Sequence, residues 1–448
     1  MTLNTNLVVV VGAGPAGLFA SKQLASAGVQ VVLLNRDIKP GGLAEYGIYY
    51  DKHKMKDGLR KQFRSILEQP NINYMGNVTI QKEGGLSLDD LRSMGFQAIL
   101  VTVGAQGTKL LGIPGEDLRG VYHAKDIVYH YNDLPPFSKK DYSVCCRVAL
   151  VGVGNVMLDI AHWIIRDLKV DEVIAVARRG PTEVKFAKKE MEHVIANLDI
   201  DALDAELMRV SPVMESVGQD VQIARDYILS AQSKAEHTGS TTHFRFMFLA
   251  SPSRVLGDEY GNVCGLEVED TTLIADDGDT RARGLGTHRV LDVESVIFCI
   301  GDRVDERFGL PVKRSEFVKS PSPLYPVDGL SYEAFDPHTG QAIPGVFVAG
   351  WSREASSGLV GVARKDGENG AKAILGYLKS QPLLEDSNQI IANLERKLQA
   401  IGTLVIRKSD IDKLEEIERA EADRRRLELY KMKTNEEMLT ALGVDYEI

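Results

Sequence analysis

The feature that most constrains this chain is a strand, a glycine-rich turn and a helix at its start, an order that recurs later. Residues 7–11 (LVVVV) form an apolar run of strand length, and the turn GAGPAG follows directly at residues 12–17. An amphipathic stretch and a second apolar run at residues 29–34 follow. This order predicts a βαβ unit that opens at residue 7.

The pattern restarts at residue 148. Residues 148–151 predict a strand, residues 152–155 (GVGN) a second glycine turn, residues 156–167 a helix and residues 173–177 the next strand. Two such units predict an α/β protein with two Rossmann-like dinucleotide-binding domains.

The first turn carries a complete G-x-G-x-x-G fingerprint at Gly12, Gly14 and Gly17. In this fingerprint the three glycines allow the tight turn, the approach of a diphosphate and close helix–strand packing, in that order. Asn35 stands at the end of the second strand, where an Asp or Glu usually binds the ribose. A neutral amide is still able to bind a ribose hydroxyl, although more weakly than a carboxylate does.

The second turn has Gly152 and Gly154, but Met157 replaces the third glycine. A bulkier residue there predicts a looser site, which a cofactor enters and leaves. Arg178 and Arg179 follow the next strand, where a carboxylate would stand in an NAD site. Because guanidinium groups bind a 2′-phosphate in bidentate fashion, the pair favours NADP over NAD.

Composition excludes several classes of protein. The 448 residues include 53 Lys and Arg against 63 Asp and Glu, for a net charge of −10, which argues against general nucleic-acid binding. No apolar stretch reaches the roughly 18–20 residues of a membrane helix. The N-terminus lacks the basic region of a signal peptide, so we expect mature sequence.

No sequence pattern indicates a nucleophile, a metal site or a dithiol. The four cysteines show no C-x-x-C spacing, which excludes a redox dithiol of the usual kind and an iron–sulfur cluster and favours a reducing, cytoplasmic location. G-x-S-x-G and H-E-x-x-H are absent, and we expect His162 to be a packed residue, not a ligand. We therefore predict no catalytic side chain and no metal.

The remaining segments show weaker patterns. Residues 206–300 are interpreted as strand-like runs between polar loops, residues 345–350 as a late strand and residues 358–378 as a long helix. The charged segment after residue 383 predicts solvated surface helices, with an interaction arm as the alternative. Three apolar residues are expected to pack those helices on the body: Ile411, Leu414 and Ile417.

Two dinucleotide folds in one chain suggest one resident and one exchangeable cofactor. This is the organisation of a flavoprotein reductase, in which NADPH passes a hydride to a flavin. The protein then supplies orientation and a dry binding site, not an acid or a nucleophile.

Longer motifs carry a family resemblance. The most specific are ARRGPTEVKFAKKE and GWSREASSGLVGV, and others are VVGAGPAGLFA, PGGLAEYGI, IPGEDLRGVY and VGVGNVMLDIA. By these motifs the chain resembles adrenodoxin reductase and the related bacterial ferredoxin–NADP reductases over almost its whole length.

The resemblance implies a discontinuous FAD domain (1–107 and 331–448) with an NADP domain inserted at 108–330. Beyond the glycines and Asn35, it implies that FAD is held at Ala16, Leu43, Val78, Trp351, Gly358, Leu359 and Val360. It implies that NADP(H) is held by Gly152, Val153, Gly154, Asn155, Val156, Arg178, Arg179 and Glu190.

The implied partner is a ferredoxin-type iron–sulfur protein, and docking an acidic partner needs a local cationic face. A family arginine that binds this partner is replaced here by Glu192. One candidate face is Lys52, Lys54, Lys56, Arg60, Lys61 and Arg64, and another is Lys185, Lys188 and Lys189. For either cluster, an ordinary solvated surface is the alternative.

Two other functions stay open at this point. One is the flavin subunit of a larger complex, similar to the small subunit of glutamate synthase. The other is a non-catalytic scaffold that binds FAD without turnover.

Overall fold

The computed structural model describes residues 5–276, 279–355 and 360–444. The chain divides into two compact units, and the second is inserted into the first. The first unit comprises Met1–Lys109, Tyr129–Lys139 and Gly301–Ile448, and the second comprises Leu110–Val128 and Lys140–Ile300.

The unit borders differ from the domain borders expected at 107 and 330. Residues 301–330 lie in the first unit, because Phe308 and Phe317 are buried in its core. Residues 129–139 also belong to it, since Tyr129 and Leu134 pack with Tyr46.

Residues 5–131 contain six strands and five helices. They are β1 (Leu7–Val11), α1 (Pro15–Ser26), β2 (Gln30–Leu34), α2 (Leu43–Tyr46), α3 (His53–Leu67), β3 (Ile72–Met75), α4 (Leu88–Ser93), β4 (Ala98–Val101), β5 (Gly107–Thr108), β6 (Val121–His123) and α5 (Ala124–Tyr131).

Seven strands and four α-helices lie in the described part of residues 140–300. They are β7 (Arg147–Val151), α6 (Asn155–Trp163), β8 (Glu172–Val176), α7 (Lys188–Met191), α8 (Ile200–Ser216), α9 (Val221–Leu229), β9 (His243–Met247), β10 (Ala250–Gly257), β11 (Val263–Asp276), β12 (Asp279–Leu291) and β13 (Ser295–Phe298).

The described part of the last segment holds five strands and four helices. They are β14 (Asp302–Arg303), β15 (Val312–Lys313), β16 (Glu316–Phe317), β17 (Glu333–Asp336), β18 (Gln341–Val348), α10 (Val360–Leu378), α11 (Ser387–Ala400), α12 (Lys408–Arg425) and α13 (Asn435–Ala441).

The first unit is built on a sheet of order β17-β18-β4-β1-β2-β3. All its pairs are parallel except β17 with β18. Along the buried strand β1, Val8 and Val10 belong to one hydrophobic cluster, and Leu7, Val9 and Val11 belong to another. Both faces of the sheet are therefore covered, as parallel sheets require.

The second unit has a fully parallel sheet of order β6-β13-β7-β8-β9. An antiparallel sheet of order β10-β11-β12 accompanies it. The predicted fold class, two Rossmann-like α/β domains, is confirmed.

One prediction in the second unit was wrong, because the interpretation of residues 206–300 as strands and loops missed helices α8 and α9. In α8 the buried Leu203, Leu207, Val210 and Met214 recur at helical spacing. Asp199 caps this helix through the backbone N–H of Ala202, and Asp220 caps α9 in the same way.

The charged C-terminal segment packs on the first unit, as predicted for its helices. Ile411 and Leu414 are buried, and Ile417 is partly buried against the same cluster. Ion pairs also connect this segment to the sheet domain: Lys39 with Glu418, Arg64 with Glu415, and Lys431 with Glu45. None of the described helices combines the length and the apolar character needed to cross a bilayer.

Candidate dinucleotide-binding sites

The first glycine turn leaves no room for side chains at two of its positions. Gly12 has a φ of +108°, and a Cβ there would lie 2.6 Å from the carbonyl oxygen of Thr102. A Cβ on Gly17 would lie 1.9 Å from the carbonyl oxygen of Gly12. Both glycines are therefore required for α1 to pack this closely on the sheet.

The middle glycine of this turn faces open space. Gly14 is the N-cap of α1, and a Cβ there would meet no atom within 4 Å. The next loop supports the turn, because the N–H of Gly41 donates to the carbonyl of Ala13 at 2.8 Å. Open space before the N-terminus of a 12-residue helix fits a diphosphate.

Asn35, which is predicted to bind the ribose, makes three side-chain hydrogen bonds to backbone groups within the chain. Its side chain is buried, and its Oδ1 accepts a hydrogen bond from the N–H of Ala13 at 3.0 Å. Its Nδ2 donates to the carbonyls of Asp37 at 2.8 Å and Lys39 at 3.0 Å. The amide thus ties the glycine turn to residues 37–39, and both of its amide protons are used by backbone carbonyls.

Three other predicted FAD residues lie around this turn. Ala16 is buried where α10 crosses α1, since a Cβ on Gly367 would lie 2.1 Å from the Ala16 carbonyl oxygen. Leu43 is half-buried at the start of α2. Val78 is buried, and its N–H donates to the carbonyl of Asn35 at 2.8 Å.

The GWSRE motif is fixed by a buried acid that sequence reasoning missed. Asp366 accepts hydrogen bonds from the N–H of Gly350 at 2.6 Å, from the Tyr332 hydroxyl at 2.9 Å and from Arg353 Nε at 2.9 Å. Burial raises the pKa of Tyr332 to about 12, and the Asp366 carboxylate adds to this shift. Trp351, a predicted FAD residue, lies half-buried between Gly350 and Arg353.

The last predicted FAD residues are Gly358, Leu359 and Val360, and of these the structure describes Val360. Val360 is the first described residue of α10 and packs partly buried on the core of the first unit. Gly358 and Leu359 lie outside the described residues.

The second turn repeats the first geometry at two positions. Gly152 has a φ of +122°, and a Cβ there would lie 2.5 Å from the carbonyl oxygen of Cys299. Gly154 is the N-cap of α6, and a Cβ there would meet no atom within 4 Å. Met157 is fully buried, whereas Val156 is 45% exposed beside the open space.

Residues 184–187 run alongside this turn. The N–H of Lys185 donates to the carbonyl of Val153 at 2.9 Å, and Asn155 Oδ1 accepts from the N–H of Ala187 at 2.7 Å. Glu190 follows in α7 and is half-buried. The motif ARRGPTEVKFAKKE is therefore held against the glycine turn by backbone hydrogen bonds.

The two predicted phosphate ligands differ in their surroundings. Both follow β8, at the carboxyl end of the parallel sheet. Arg178 is exposed, and its guanidinium makes no ion pair with any residue the structure describes. The guanidinium of Arg179 lies 3.3 Å from Glu183 and 3.4 Å from Asp279. Arg178 is thus the group available to an anionic ligand.

Three of the six cations of the first candidate docking face, Lys56, Arg60 and Arg64, are engaged in contacts within the chain and do not form the predicted free cationic surface. Lys56 is 1% exposed and donates to Asn132 Oδ1, and burial lowers its pKa to about 7. Arg60 makes a bidentate pair with Glu45, at 2.8 and 2.6 Å, and Arg64 pairs with Glu415. Of that cluster, Lys54 and Lys61 are exposed and Lys52 is half-buried.

The second candidate face keeps its cations exposed. Lys185, Lys188 and Lys189 are all exposed, and none of their ammonium groups pairs with a described residue.

Comparisons with known proteins agree with this architecture. Residues 6–211, which hold both glycine turns, match the family described as pyridine nucleotide-disulphide oxidoreductase. The chain is 28% identical over 408 residues to an NADPH-ferredoxin reductase, FprA, of Mycobacterium leprae, covering 83% of this chain and 84% of that protein.

A plant protein and a solved structure extend the similarity. The mitochondrial NADPH:adrenodoxin oxidoreductase of Arabidopsis thaliana is 28% identical over 388 residues, covering 79% of this chain and 78% of that protein. Mycobacterium tuberculosis FprA in complex with NADPH superposes with a TM-score of 0.80 at 22% identity, covering 98% of this chain and 100% of that one. The resemblance predicted from the motifs is confirmed.

Proposed function

We propose that this chain is an NADPH-dependent flavoprotein reductase that delivers electrons to a ferredoxin-type iron–sulfur protein. The observation that carries the proposal is the presence of two glycine turns with open middle positions. The second turn is followed by Arg178, which is exposed and pairs with no residue that the structure describes. The printed names of the relatives, NADPH-ferredoxin reductase and NADPH:adrenodoxin oxidoreductase, support the same activity.

The first unit fits FAD. The open space at Gly14 and the N-terminus of α1 accept a diphosphate, and the Gly41–Gly42 loop supports the turn. The Asp366 network holds the backbone of Gly350 and the side chain of Arg353 in place. A preformed site of this kind binds its cofactor without first having to order the loop.

The second unit fits NADPH. Gly154 and the N-terminus of α6 accept the diphosphate, while Arg178 is positioned for the 2′-phosphate. The next residue, Arg179, is held by its ion pairs with Glu183 and Asp279. With both cofactors bound, the chemistry they would supply is transfer of a hydride from NADPH to FAD and of electrons from FAD to the acceptor.

The chain contributes binding and orientation in this scheme. We assign no acid, base or nucleophile to it, since hydride transfer between cofactors requires none. The four cysteines form no disulfide, so we place the protein in the cytoplasm, a reducing compartment.

We assign the docking face to Lys185, Lys188 and Lys189. These three ammonium groups are exposed and unpaired among the described residues, whereas Lys56, Arg60 and Arg64 are engaged. An acidic iron–sulfur protein would be steered to such a face by charge. A Lys188→Ala, Lys189→Ala variant should raise KM for that protein several-fold and should affect reduction of a neutral dye far less.

The direct test is NADPH-dependent reduction of small iron–sulfur proteins from the same cell, followed anaerobically by absorbance. We expect at least one to be reduced, at a rate that falls with added salt. A flavin that NADPH bleaches without reducing any iron–sulfur protein would point to the flavin subunit of a larger complex. A flavin that NADPH does not bleach would contradict the reductase function altogether.

A further inference from the structure

A cluster of two imidazoles and one carboxylate lies in the second unit, outside both glycine turns. His162 is on α6, His193 lies two residues beyond the end of α7, and Glu236 follows the short helical turn at 230–234. One potential ligand atom from each residue lies within 4.8 Å of the other two. Sequence analysis predicted His162 to be a packed residue and predicted no metal.

His193 is the unusual member of this cluster. Its Nδ1 lies 2.9 Å from Glu236 Oε2, and its Nε2 lies 3.8 Å from Glu190 Oε2. Both ring nitrogens are buried, and neither makes a hydrogen bond of acceptable geometry with a described residue. Buried polar atoms normally have a hydrogen-bond partner, so both nitrogens are unsatisfied among the described residues.

The cluster is held in place by ordinary packing and backbone contacts. The rings of His162 and His193 are stacked, with centroids 4.9 Å apart and planes inclined by 9°. The N–H of Glu236 donates to the carbonyl of Glu192 at 2.9 Å, which keeps the Glu236 carboxylate beside His193. His162 is only 3% exposed, while the Glu236 side chain is 56% exposed, so an ion has a path from solvent.

We propose that His162, His193 and Glu236 bind a divalent transition-metal ion of the zinc class. Two imidazole nitrogens and a carboxylate oxygen are the donors that Zn²⁺ takes, whereas Mg²⁺ and Ca²⁺ prefer sites made of oxygen alone. Three protein ligands leave a fourth position for water. The ion would join α6 to the two segments that follow α7 and thus stabilise the second unit, independently of any nucleotide.

The test uses the full chain with its flavin, without a histidine tag, after treatment with a chelator and dialysis. Cys145 and Cys146 are changed to serine throughout, because these exposed thiols lie 2.7 Å apart and would bind zinc themselves. Calorimetric titration with Zn²⁺ should show one saturable site per chain, and Zn²⁺ should raise the thermal midpoint.

Variants separate this site from adventitious binding. His193→Gln should weaken Zn²⁺ binding by about 100-fold and Glu236→Gln by about tenfold, and both should lose the thermal shift. His288→Gln is the matched control, since His288 Nδ1 lies 3.7 Å from Glu267 Oε1 in the same unit without a second histidine. We expect this control to bind Zn²⁺ as the parent does.

Three results would overturn the proposal: no saturable Zn²⁺ binding, binding that survives both His193→Gln and Glu236→Gln, or equal loss in His288→Gln. The first result would instead leave His193 as a packed side chain beside Glu236. Should His193→Gln fail to fold, Glu236→Gln changes an exposed carboxylate and decides the question alone.

Discussion

The two glycine turns begin alike and differ at their third position. In each turn the first glycine has a positive φ. A Cβ there would collide with the carbonyl oxygen of Thr102 in the first turn and of Cys299 in the second, each the residue directly after a neighbouring strand. In each turn the middle glycine faces open space. The third position is Gly17 in one turn, where no side chain fits, and the fully buried Met157 in the other.

The surroundings differ as well. Asn35 and the Gly41 N–H tie the first turn to its neighbouring loops. The second turn has Val156 exposed beside it and Arg178 unpaired among the described residues. From this difference we infer that the shared strand, turn and helix would provide a phosphate site in each unit, and that the surrounding residues would set whether a cofactor stays or exchanges.

The largest expected effect is at Gly17. Gly17→Ala places a Cβ where the Gly12 carbonyl oxygen lies, which forces α1 away from the sheet. Overpacking of this kind costs about 1–3 kcal/mol, so FAD affinity should fall up to roughly 100-fold. The flavin content of the protein after gel filtration measures this loss of FAD affinity. Gly58→Ala in α3 is the control, since its Cβ meets nothing within 4 Å, and undiminished FAD in Gly17→Ala would refute the close-packing argument.

The second prediction concerns the two arginines. A hydrogen bond to a charged group is worth about 1.5–3 kcal/mol, so Arg178→Ala should lower kcat/KM for NADPH by about 10- to 100-fold. Arg179→Ala should cost less, because Glu183 and Asp279 already engage that guanidinium. NADH carries no 2′-phosphate, and its kcat/KM should change by less than about tenfold. Equal losses with both nucleotides would assign the arginines to folding or to the acceptor.

The third prediction separates two roles for Asn35. Asn35→Glu removes both amide protons and turns a carboxylate toward the carbonyls of Asp37 and Lys39. The carbonyl of Lys39 would lose its donor, while that of Asp37 keeps the N–H of Asn77. A polar group left without a partner costs about 1–3 kcal/mol, so FAD should bind about tenfold more weakly. Flavin release in mild urea measures this. Asn71→Asp, which alters a similar amide–carbonyl contact away from the turn, is the control. Tighter FAD binding by Asn35→Glu would restore the ribose role implied by the family resemblance.

The smallest effect concerns acid stability of the first unit. Burial alone would raise the pKa of Glu45, but the neighbouring cations Lys431 and Arg60 lower it to about 2. A carboxyl whose pKa is lower in the folded state stabilises the fold fully at pH values above its pKa in the unfolded state. This contribution is lost as the pH falls toward its pKa in the folded state. With a pKa of 4.5 in the unfolded state and about 2 in the folded state, Glu45 should lower the free energy of unfolding by about 1 kcal/mol between pH 7 and pH 4.

Urea unfolding of the parent and of Glu45→Gln at several pH values measures this contribution. The variant should lack that part of the pH dependence. Parallel pH curves for the two proteins would show that Glu45 does not titrate as described.

The elements that sequence predicts well are those with local signals. Strand β1 matches its predicted bounds, because an apolar run ends at a glycine turn. The burial of Lys56 also had a local signal, since Lys56, Phe63 and Leu67 recur at helical spacing on the buried face of α3. The charge of Lys56 predicts an exposed side chain, whereas its place in that periodicity predicts a buried one.

Other features depend on contacts that no local pattern encodes. Asp366 binds Tyr332, Gly350 and Arg353 only because α10 returns to the sheet. The role of Asn35 depends on the path of residues 37–39. His193 and Glu236 are 43 positions apart in the sequence, and they meet because the N–H of Glu236 donates to the carbonyl of Glu192 between two irregular segments.

The central claim is that the first site retains its cofactor and the second exchanges it. The most direct measurement is the nucleotide content of the purified full chain after extensive dialysis, determined by chromatography of the denatured extract. We expect close to one FAD per chain and almost no NADP(H). NADP(H) present in equal amount, or FAD absent while the protein is folded, would contradict it.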